Sequence, residues 1–301
     1  MEPKNIVITG GTGFIGSALC SELLKQGHFI SIVTRSPDKY SKEQSKNLKY
    51  ISWDDNLSGA MAESDVVINL VGESLFGKRW TESVKKSIYN SRIESTKQLV
   101  TAMKEAGSKP ELFISASAVG IYGDNGDKLL DESSSLGDDF LAHVCKDWEE
   151  ESRKAEDLGI RVVNPRIGIV LEKNGGFLQI MKLPFLFFVG GPIGDGKQFL
   201  PWIHMDDLVR ALIYPIDEKE LTGAYNVCSP EPEPMNRVAD ALGNVLNRPS
   251  FFRVPEFVMR TLLGEAAEPT LSSLNVQPKV LQISGFEFKF EDLEEALADI
   301  F

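Results

Sequence analysis

The sequence predicts an α/β fold of the Rossmann type, a doubly wound parallel sheet followed by a smaller α+β unit, and three observations predict it. Short apolar runs alternate with longer amphipathic ones through the first half, the pattern left by repeated βαβ units. The first of these runs, "NIVIT" at 5–9, leads into a glycine-rich turn and then a helix-like segment. After Arg166 the texture changes to Gly, Pro and aromatic residues, so the regular alternation ends there.

Each element follows from local chemistry. "NIVIT" (5–9), "FISIVT" (29–34), "LKYISW" (48–53), "DVVINLV" (65–71), "LFISAS" (112–117) and "IRVVNPRIGIV" (160–170) are rich in β-branched and aliphatic residues and read as strands. "FIGSALCSELLKQG" is a helix ending at Gly27; a longer helix opens at Thr81, a good N-cap, and closes at Gly107. The 138–158 region supplies another. The glycine- and proline-rich stretch 173–204 fits loops and short pieces. "MDDLVRALIYPI" then reads as a helix and "GAYNVCS" as a strand able to rejoin the main sheet. The tail adds the helical stretches "MNRVADALGNVLN", "EFVMRTLLG" and "FEDLEEALADI" and the strand-like alternation "GFEFKF" at 285–290. The expected division is a dinucleotide-binding domain over 1–170 and 204–230 and a smaller substrate-side domain over 171–203 and 231–301.

Composition narrows the function classes. The 301 residues are 42% hydrophobic and 25% charged, ordinary for a chain that buries a core. A net charge of −12 argues against a general nucleic-acid or anionic-membrane binder, because such partners repel this balance; local basic pockets remain compatible with it. Three cysteines, Cys20, Cys145 and Cys228, are too few and scattered for a disulfide framework or a zinc ribbon, and His28, His143 and His204 show no metal-ligand spacing. No metal site is expected. The chain enters "NIVITGG" without a charged leader and apolar run, and no apolar stretch approaches the roughly 20 residues of a spanning helix. A soluble, cytoplasmic protein is the expectation.

The glycine turn carries the first chemistry. "VITGGTGFIG" places Gly10, Gly13 and Gly16 at G-x-x-G-x-x-G spacing between a strand and a helix. Glycines there let the backbone approach a dinucleotide pyrophosphate that faces the helix N-terminus. The end of the second strand selects the dinucleotide. An Asp or Glu would hold a ribose 2′-hydroxyl, but this chain has "VTRSP": Thr34 can donate a hydrogen bond, Arg35 can pair bidentately with a 2′-phosphate, and the nearest acid, Asp38, lies beyond Pro37. NADP(H) is the expected cofactor. In the long helix, Val84, Ile88 and Arg92 share one stripe, so Arg92 needs an anionic or carbonyl partner; the cofactor and a structural carboxylate are equal candidates from spacing alone.

Nearly the whole chain resembles the extended short-chain dehydrogenase/reductase superfamily, within it the atypical NAD-dependent epimerase/dehydratase-like branch known as the "epimerase family protein" group. The resemblance rests on "TGGTGFIG" (9–16), "TR" (34–35), "NLVGE" (69–73), "RW" (79–80), "SR" (91–92), "SASAVGIYG" (115–123), "CKDWE" (145–149), "GGPIGDGKQFLPWIHMDDL" (190–208) and "GFEFKFEDLEEALADI" (285–300). It implies that Gly10, Thr12, Gly13, Phe14, Ile15 and Gly16 line the pyrophosphate and that Thr34 and Arg35 hold the 2′-phosphate. Leu70, Val71 and Gly72 would sit at the adenine and ribose side, Arg92 and Ser115 near the cofactor, and Ile169 near the nicotinamide. Ser117 corresponds to the superfamily's active-site serine, and Glu73, Trp202 and His204 fall at the substrate pocket.

The superfamily's acid–base machinery is a Tyr-x-x-x-Lys pair, spaced so that both side chains face the cofactor from one helix. Aligned on "WEE", those positions are Leu141 and Cys145. Three residues offer the missing chemistry. Tyr122 follows Ser117 by five residues, and the alternative is a loop element. Cys145 is a thiol, or else a small core residue. His204 has a suitable pKa with Asp206 or Asp207 to orient it, or else marks a helix entry capped by an Asp. "GPIGDGKQ" from Gly191 imitates a P-loop, but Gln198 replaces the magnesium-binding hydroxyl and Pro201 discourages the following helix, so nucleotide triphosphate hydrolysis is rejected. Phe185, Phe187, Phe188, Phe199 and Trp202 either wall a pocket or fill the smaller domain's core.

The expected function is an NADP(H)-dependent oxidoreductase acting on a small alcohol or carbonyl, with Ser117 hydrogen-bonding the reacting oxygen. Its alternatives are an NADP(H)-binding regulator or redox sensor with little turnover and a nucleotide-sugar epimerase. The partner is a small-molecule substrate; a homodimer is allowed, and nucleic acid and membranes are not expected.

Overall fold

The computed structural model describes residues 2–75 and 77–301. The first part runs β1 (Asn5–Thr9), α1 (Phe14–Lys25), β2 (Phe29–Thr34), β3 (Leu48–Ser52), α2 (Leu57–Ala62), β4 (Val66–Asn69), α3 (Glu82–Glu105), β5 (Leu112–Ser115), β6 (Ser117–Ala118), α4 (Phe140–Arg153) and β7 (Arg161–Ile167). It continues with β8 (Ile169–Leu171), α5 (Gly176–Leu186), β9 (Phe199–Leu200), β10 (Trp202–His204), α6 (Met205–Asp217), β11 (Gly223–Val227), β12 (Glu233–Pro234), α7 (Met235–Leu246), α8 (Glu256–Leu263), α9 (Glu268–Leu271), α10 (Lys279–Ile283) and α11 (Leu293–Ile300).

The main sheet has the order β11-β7-β5-β4-β1-β2-β3 with every neighbour parallel, and β6 extends along β7. The order reverses at β1, where Thr9 pairs with Val33 on one side and Asn69 on the other. In an open α/β sheet that switch point is where a crevice opens at the strands' C-terminal ends. Strand alternation builds two cores. Ile6, Ile8, Ile68 and Ile114 face α1 and α6, whereas Val7, Val67 and Phe113 face α2 and α3 through Met61, Leu99 and Met103. Each such aliphatic side chain contributes roughly 1.5–3 kcal/mol when fully buried.

A third core belongs to the later part of the chain. Phe177, Leu178, Met181 and Phe185 of α5 pack with Trp202, Met235, Leu242, Phe290 and Leu297. The segment between the two cores supplies α6 to the sheet's face and β11 to its edge, where Tyr225 pairs with Pro165.

Three local expectations change. The 173–204 stretch contains a true helix: α5 starts on Gly175 and Gly176, buries positions 177, 178, 181 and 185 at helical spacing, and tolerates Pro184 in its last turn. The 160–170 run is two strands, because the chain leaves the main sheet at Gly168 and β8 pairs with β10 instead. "GFEFKF" is no strand. The Lys289 and Phe290 amides donate to the Asp207 carboxylate at 2.8 Å each, so they are not available to a ladder, while Phe286 and Phe290 are buried. Among the described residues no helix is long and apolar enough to cross a membrane, and the three cysteines are free and buried.

Candidate active site

The glycine turn is built by contact. Gly10 has φ +74°, and a Cβ there would lie 2.7 Å from the Leu70 carbonyl, so the turn after β1 presses against the end of β4. A Cβ on Gly16 would lie 2.2 Å from the Gly10 oxygen. Gly13 is the N-cap of α1, no side chain caps that end, and no acid stands in the first turn. The first-turn amides and the positive end of the helix thus face outward beside Thr12, Gly13 and Phe14, all exposed. Ile15 turns inward against the first core. This open glycine cradle at an uncapped helix start fits a dinucleotide pyrophosphate.

Either side of the turn carries charge. Thr34 ends β2, and Arg35 beyond it is exposed, with no acid before Asp38. After β4, Leu70 and Val71 are half-buried, and Glu73 forms an ion pair of 2.8 Å with Lys78. The Lys78 hydrogen bond, helped by the charges of Arg35 and Arg92, holds the Glu73 carboxyl below the usual carboxylate range. The partners of Arg92 are carbonyls rather than a carboxylate: its guanidinium donates to Ile88 O at 3.0 Å and Glu73 O at 3.2 Å and lies over the Trp148 ring. It also rests against Gly72, where a Cβ would come within 2.9 Å of it. Ile169, at the start of β8, is half-buried and paired with Trp202.

Ser117 begins β6 and donates to Glu149 Oε1 at 2.7 Å. Glu149, on α4, is clasped by Arg166 of β7 through Nε at 2.8 Å and Nη2 at 3.0 Å, both residues being buried. Arg166 donates in turn to the Tyr122 hydroxyl, which donates to Asn226 of β11. A buried polar spine therefore runs from the serine across the sheet. Sequence reasoning missed Glu149 and Arg166. The signals were an arginine near the C-terminal end of a strand run and an acid four residues after Cys145 on the same helical face.

Five expected site residues are buried among protein partners. Tyr122 is fully buried, burial pushes its phenol up to about 12, and its hydroxyl donates to Asn226 Oδ1 within the spine. Cys145 is enclosed as well, and burial pushes its thiol up to about 11; it is a core residue beside Ser117. Ser115 is fully enclosed, and its hydroxyl accepts from Asn69 Nδ2, so it fixes the end of β4 rather than facing a ligand. Trp202 fills the third core and donates to Glu231 O, with Phe185 beside it, while Phe187 and Phe188 point outward. His204 is the helix entry, but the imidazole itself is the cap: Nδ1 accepts from the Asp206 amide while Phe290 covers the ring. Leu141, at the tyrosine position, packs with Trp80 and Ala266.

The histidines give a pH prediction. Burial, the main cause, lowers the pKa of both His28 and His204. Below about pH 6.5 the unfolded chain takes up protons that these buried rings refuse. Stability is therefore level above that pH and falls as pH drops through 6.5 toward the folded values. Urea midpoints between pH 7.5 and 5.5 should show this fall, and the double variant His28→Gln/His204→Gln should flatten it; an unchanged slope in that variant rejects the assignment.

Comparison with known proteins agrees with this geometry. Residues 6–164 match the model of the NAD dependent epimerase/dehydratase family, and 254–300 match a domain of unknown function, DUF1731. Epimerase family protein YfhF of Bacillus subtilis is 39% identical, over 98% of this chain and 97% of its own. The crystal structure of human epimerase family protein SDR39U1 (isoform 2) with NADPH superposes with a TM-score of 0.89 at 31% identity, covering 98% of each chain. A nucleoside-diphosphate sugar epimerase from Corynebacterium glutamicum gives 0.79 at 32% identity, over 99% of this chain and 58% of that longer one. With the glycine cradle, the reversal of strand order and the absent Tyr-x-x-x-Lys pair, these matches make the chain an atypical extended short-chain dehydrogenase/reductase belonging to the NAD dependent epimerase/dehydratase family.

Proposed function

We propose that the protein is an NADP(H)-dependent oxidoreductase acting on a small alcohol or carbonyl. The observation that carries this reading is the uncapped glycine turn flanked by Thr34 and Arg35, with no acid at the end of β2. The human relative solved with NADPH supports the same choice of dinucleotide. Gly10 and Gly13 give the pyrophosphate room, the first-turn amides of α1 receive it, and Arg35 offers a bidentate partner to the 2′-phosphate. When bound, the nicotinamide supplies hydride transfer. Ser117 is buried and gives its hydroxyl proton to Glu149 Oε1, so it would meet a reacting alcohol as a hydrogen-bond acceptor, and a carbonyl only after the hydroxyl turns away from Glu149.

A second reading is favoured by Leu141 and Cys145 at the positions of the acid–base pair: a protein that binds NADP(H) and turns over little. Nucleotide-sugar epimerisation, the activity named for the Corynebacterium relative, would need that pair. The deciding experiment follows nicotinamide absorbance with NADPH and NADP⁺, each mixed with the protein and a fractionated metabolite extract. Turnover that Ser117→Ala reduces by roughly 100-fold or more is expected. Arg35→Ala should weaken NADPH binding by about 10- to 100-fold and leave NADH nearly unchanged. Tight NADPH binding with no turnover in any fraction would select the second reading.

A further inference from the structure

The segment between β4 and α3 meets the later part of the chain beside the position of the missing tyrosine. Trp80 is buried there, its indole nitrogen donates to Leu75 O, and it shares one apolar cluster with Leu141, Leu263 and Ala266. Its neighbour Arg79 is exposed and lies along the turn that closes α8. A Cβ on Gly264, φ 61°, would come 3.0 Å from Arg79 Nε and 3.5 Å from its Cγ. The turn 263–266 therefore covers Leu141 and carries the Arg79 guanidinium as well.

Ion pairing around this junction leaves Arg79 over. Lys78 takes Glu73 at 2.8 Å, Lys85 takes Glu265 and Glu82, and Arg260 takes Glu256 and Glu268. Glu265 directly follows Gly264, yet the lysine engages it. Among the described residues no carboxylate lies within ion-pair distance of Arg79, and its guanidinium donates no hydrogen bond. A guanidinium presents its donors as a planar fork that matches two oxygens of a carboxylate or a phosphate.

Two other arginines stand on this side of the sheet, near enough to Glu73 for their charges to act on its carboxyl. With Arg35 allotted to a 2′-phosphate and Arg92 donating to two carbonyls, Arg79 is the guanidinium left for a second ligand. We propose that Arg79 binds the anionic group, a carboxylate or a phosphate, of the ligand that enters beside the cofactor, holding it at the turn 263–266. The inference rests on the oxidoreductase reading only in making that ligand the substrate, which is then a small alcohol or carbonyl that carries a negative charge.

The test saturates the full chain with NADPH, so that the 2′-phosphate site is filled, and titrates it calorimetrically with inorganic phosphate and with succinate at fixed ionic strength. Saturable binding is expected, and the tighter probe tells a phosphate ligand from a carboxylate one. Arg79→Gln should weaken that binding about 10- to 100-fold and leave NADPH affinity unchanged. Arg79→Lys, which keeps the charge and loses the fork, should recover part of the loss. Arg260→Gln removes a cation of the same junction that is already paired, so it should leave probe binding unchanged. Unchanged thermal unfolding shows that the Arg79 variants fold. No saturable binding of either probe, or equal binding to wild type and Arg79→Gln, overturns the proposal. Turnover separates it from the reading it rests on. With an active metabolite fraction, Arg79→Gln should raise KM roughly tenfold or more at nearly constant kcat. A fraction turned over equally well by Arg79→Gln rejects the anion site and leaves the oxidoreductase standing, whereas probe binding that depends on Arg79, with no turnover in any fraction, keeps the site and rejects the oxidoreductase.

Discussion

Glu149→Leu should cost the fold roughly 3–5 kcal/mol, the range for breaking a buried ion pair and leaving one charge uncompensated. Arg166 would keep its place between β7 and α4, buried, with the Tyr122 hydroxyl as its remaining partner in the spine. The change should appear as a lowered urea midpoint at nearly constant slope. The double variant Glu149→Leu/Arg166→Met makes the test specific. Removing both charges relieves the desolvation that the single variant leaves unbalanced, so the double should be more stable than Glu149→Leu alone. Additive losses would show that the two side chains do not act as a pair. The same single variant releases the Ser117 hydroxyl from its acceptor, so any turnover should fall with it even where the protein is still folded.

Gly16→Ala should abolish cofactor binding by steric means alone. The added Cβ would lie 2.2 Å from the Gly10 carbonyl oxygen and 2.7 Å from the Gly11 Cα, and both neighbours are backbone. No side chain can move aside, so either the turn opens or α1 retreats from β1. Each displaces the first-turn amides from the cradle by on the order of an ångström, enough to lose a hydrogen-bonded anion. An NADPH dissociation constant raised by about 100-fold or more in a fluorescence titration is expected. Gly27→Ala is the control: that glycine also has positive φ, but nothing lies within 4 Å of its added Cβ, so it should lower stability and leave binding intact. Equal loss of binding in both variants would refute the steric account.

Elements whose signal is local were legible. β1, the glycine turn and α1 follow from one stretch of ten residues, α3 opens on Thr81 as its N-cap, and the "GAYNV" strand returns to the sheet beside β7. Signals that depend on what packs above them were not. α5 hides its helical spacing among glycine and proline, and "GFEFKF" alternates like a strand although Asp207, from α6, takes two of its amides. The site divides in the same way. Gly10, Gly13 and Arg35 announce themselves by spacing, whereas the chemistry of Tyr122 and Cys145 depends on burial, which residue type does not reveal. Glu149 and Arg166 belong to different elements, and only the folded sheet brings them to Ser117.

The late return of β11 also shapes how the chain can be made. The exposed edge of β7 waits for a partner that lies on the order of 55 residues further on, between Ile167 and Gly223. At about 5–20 residues per second, a ribosome leaves that hydrogen-bonding edge open for roughly three to eleven seconds. During that interval the half-made sheet presents free amides and carbonyls to any other nascent strand. Slowed synthesis across 168–222 should therefore raise aggregation during production more than the same delay placed after Val227, when the edge is already closed.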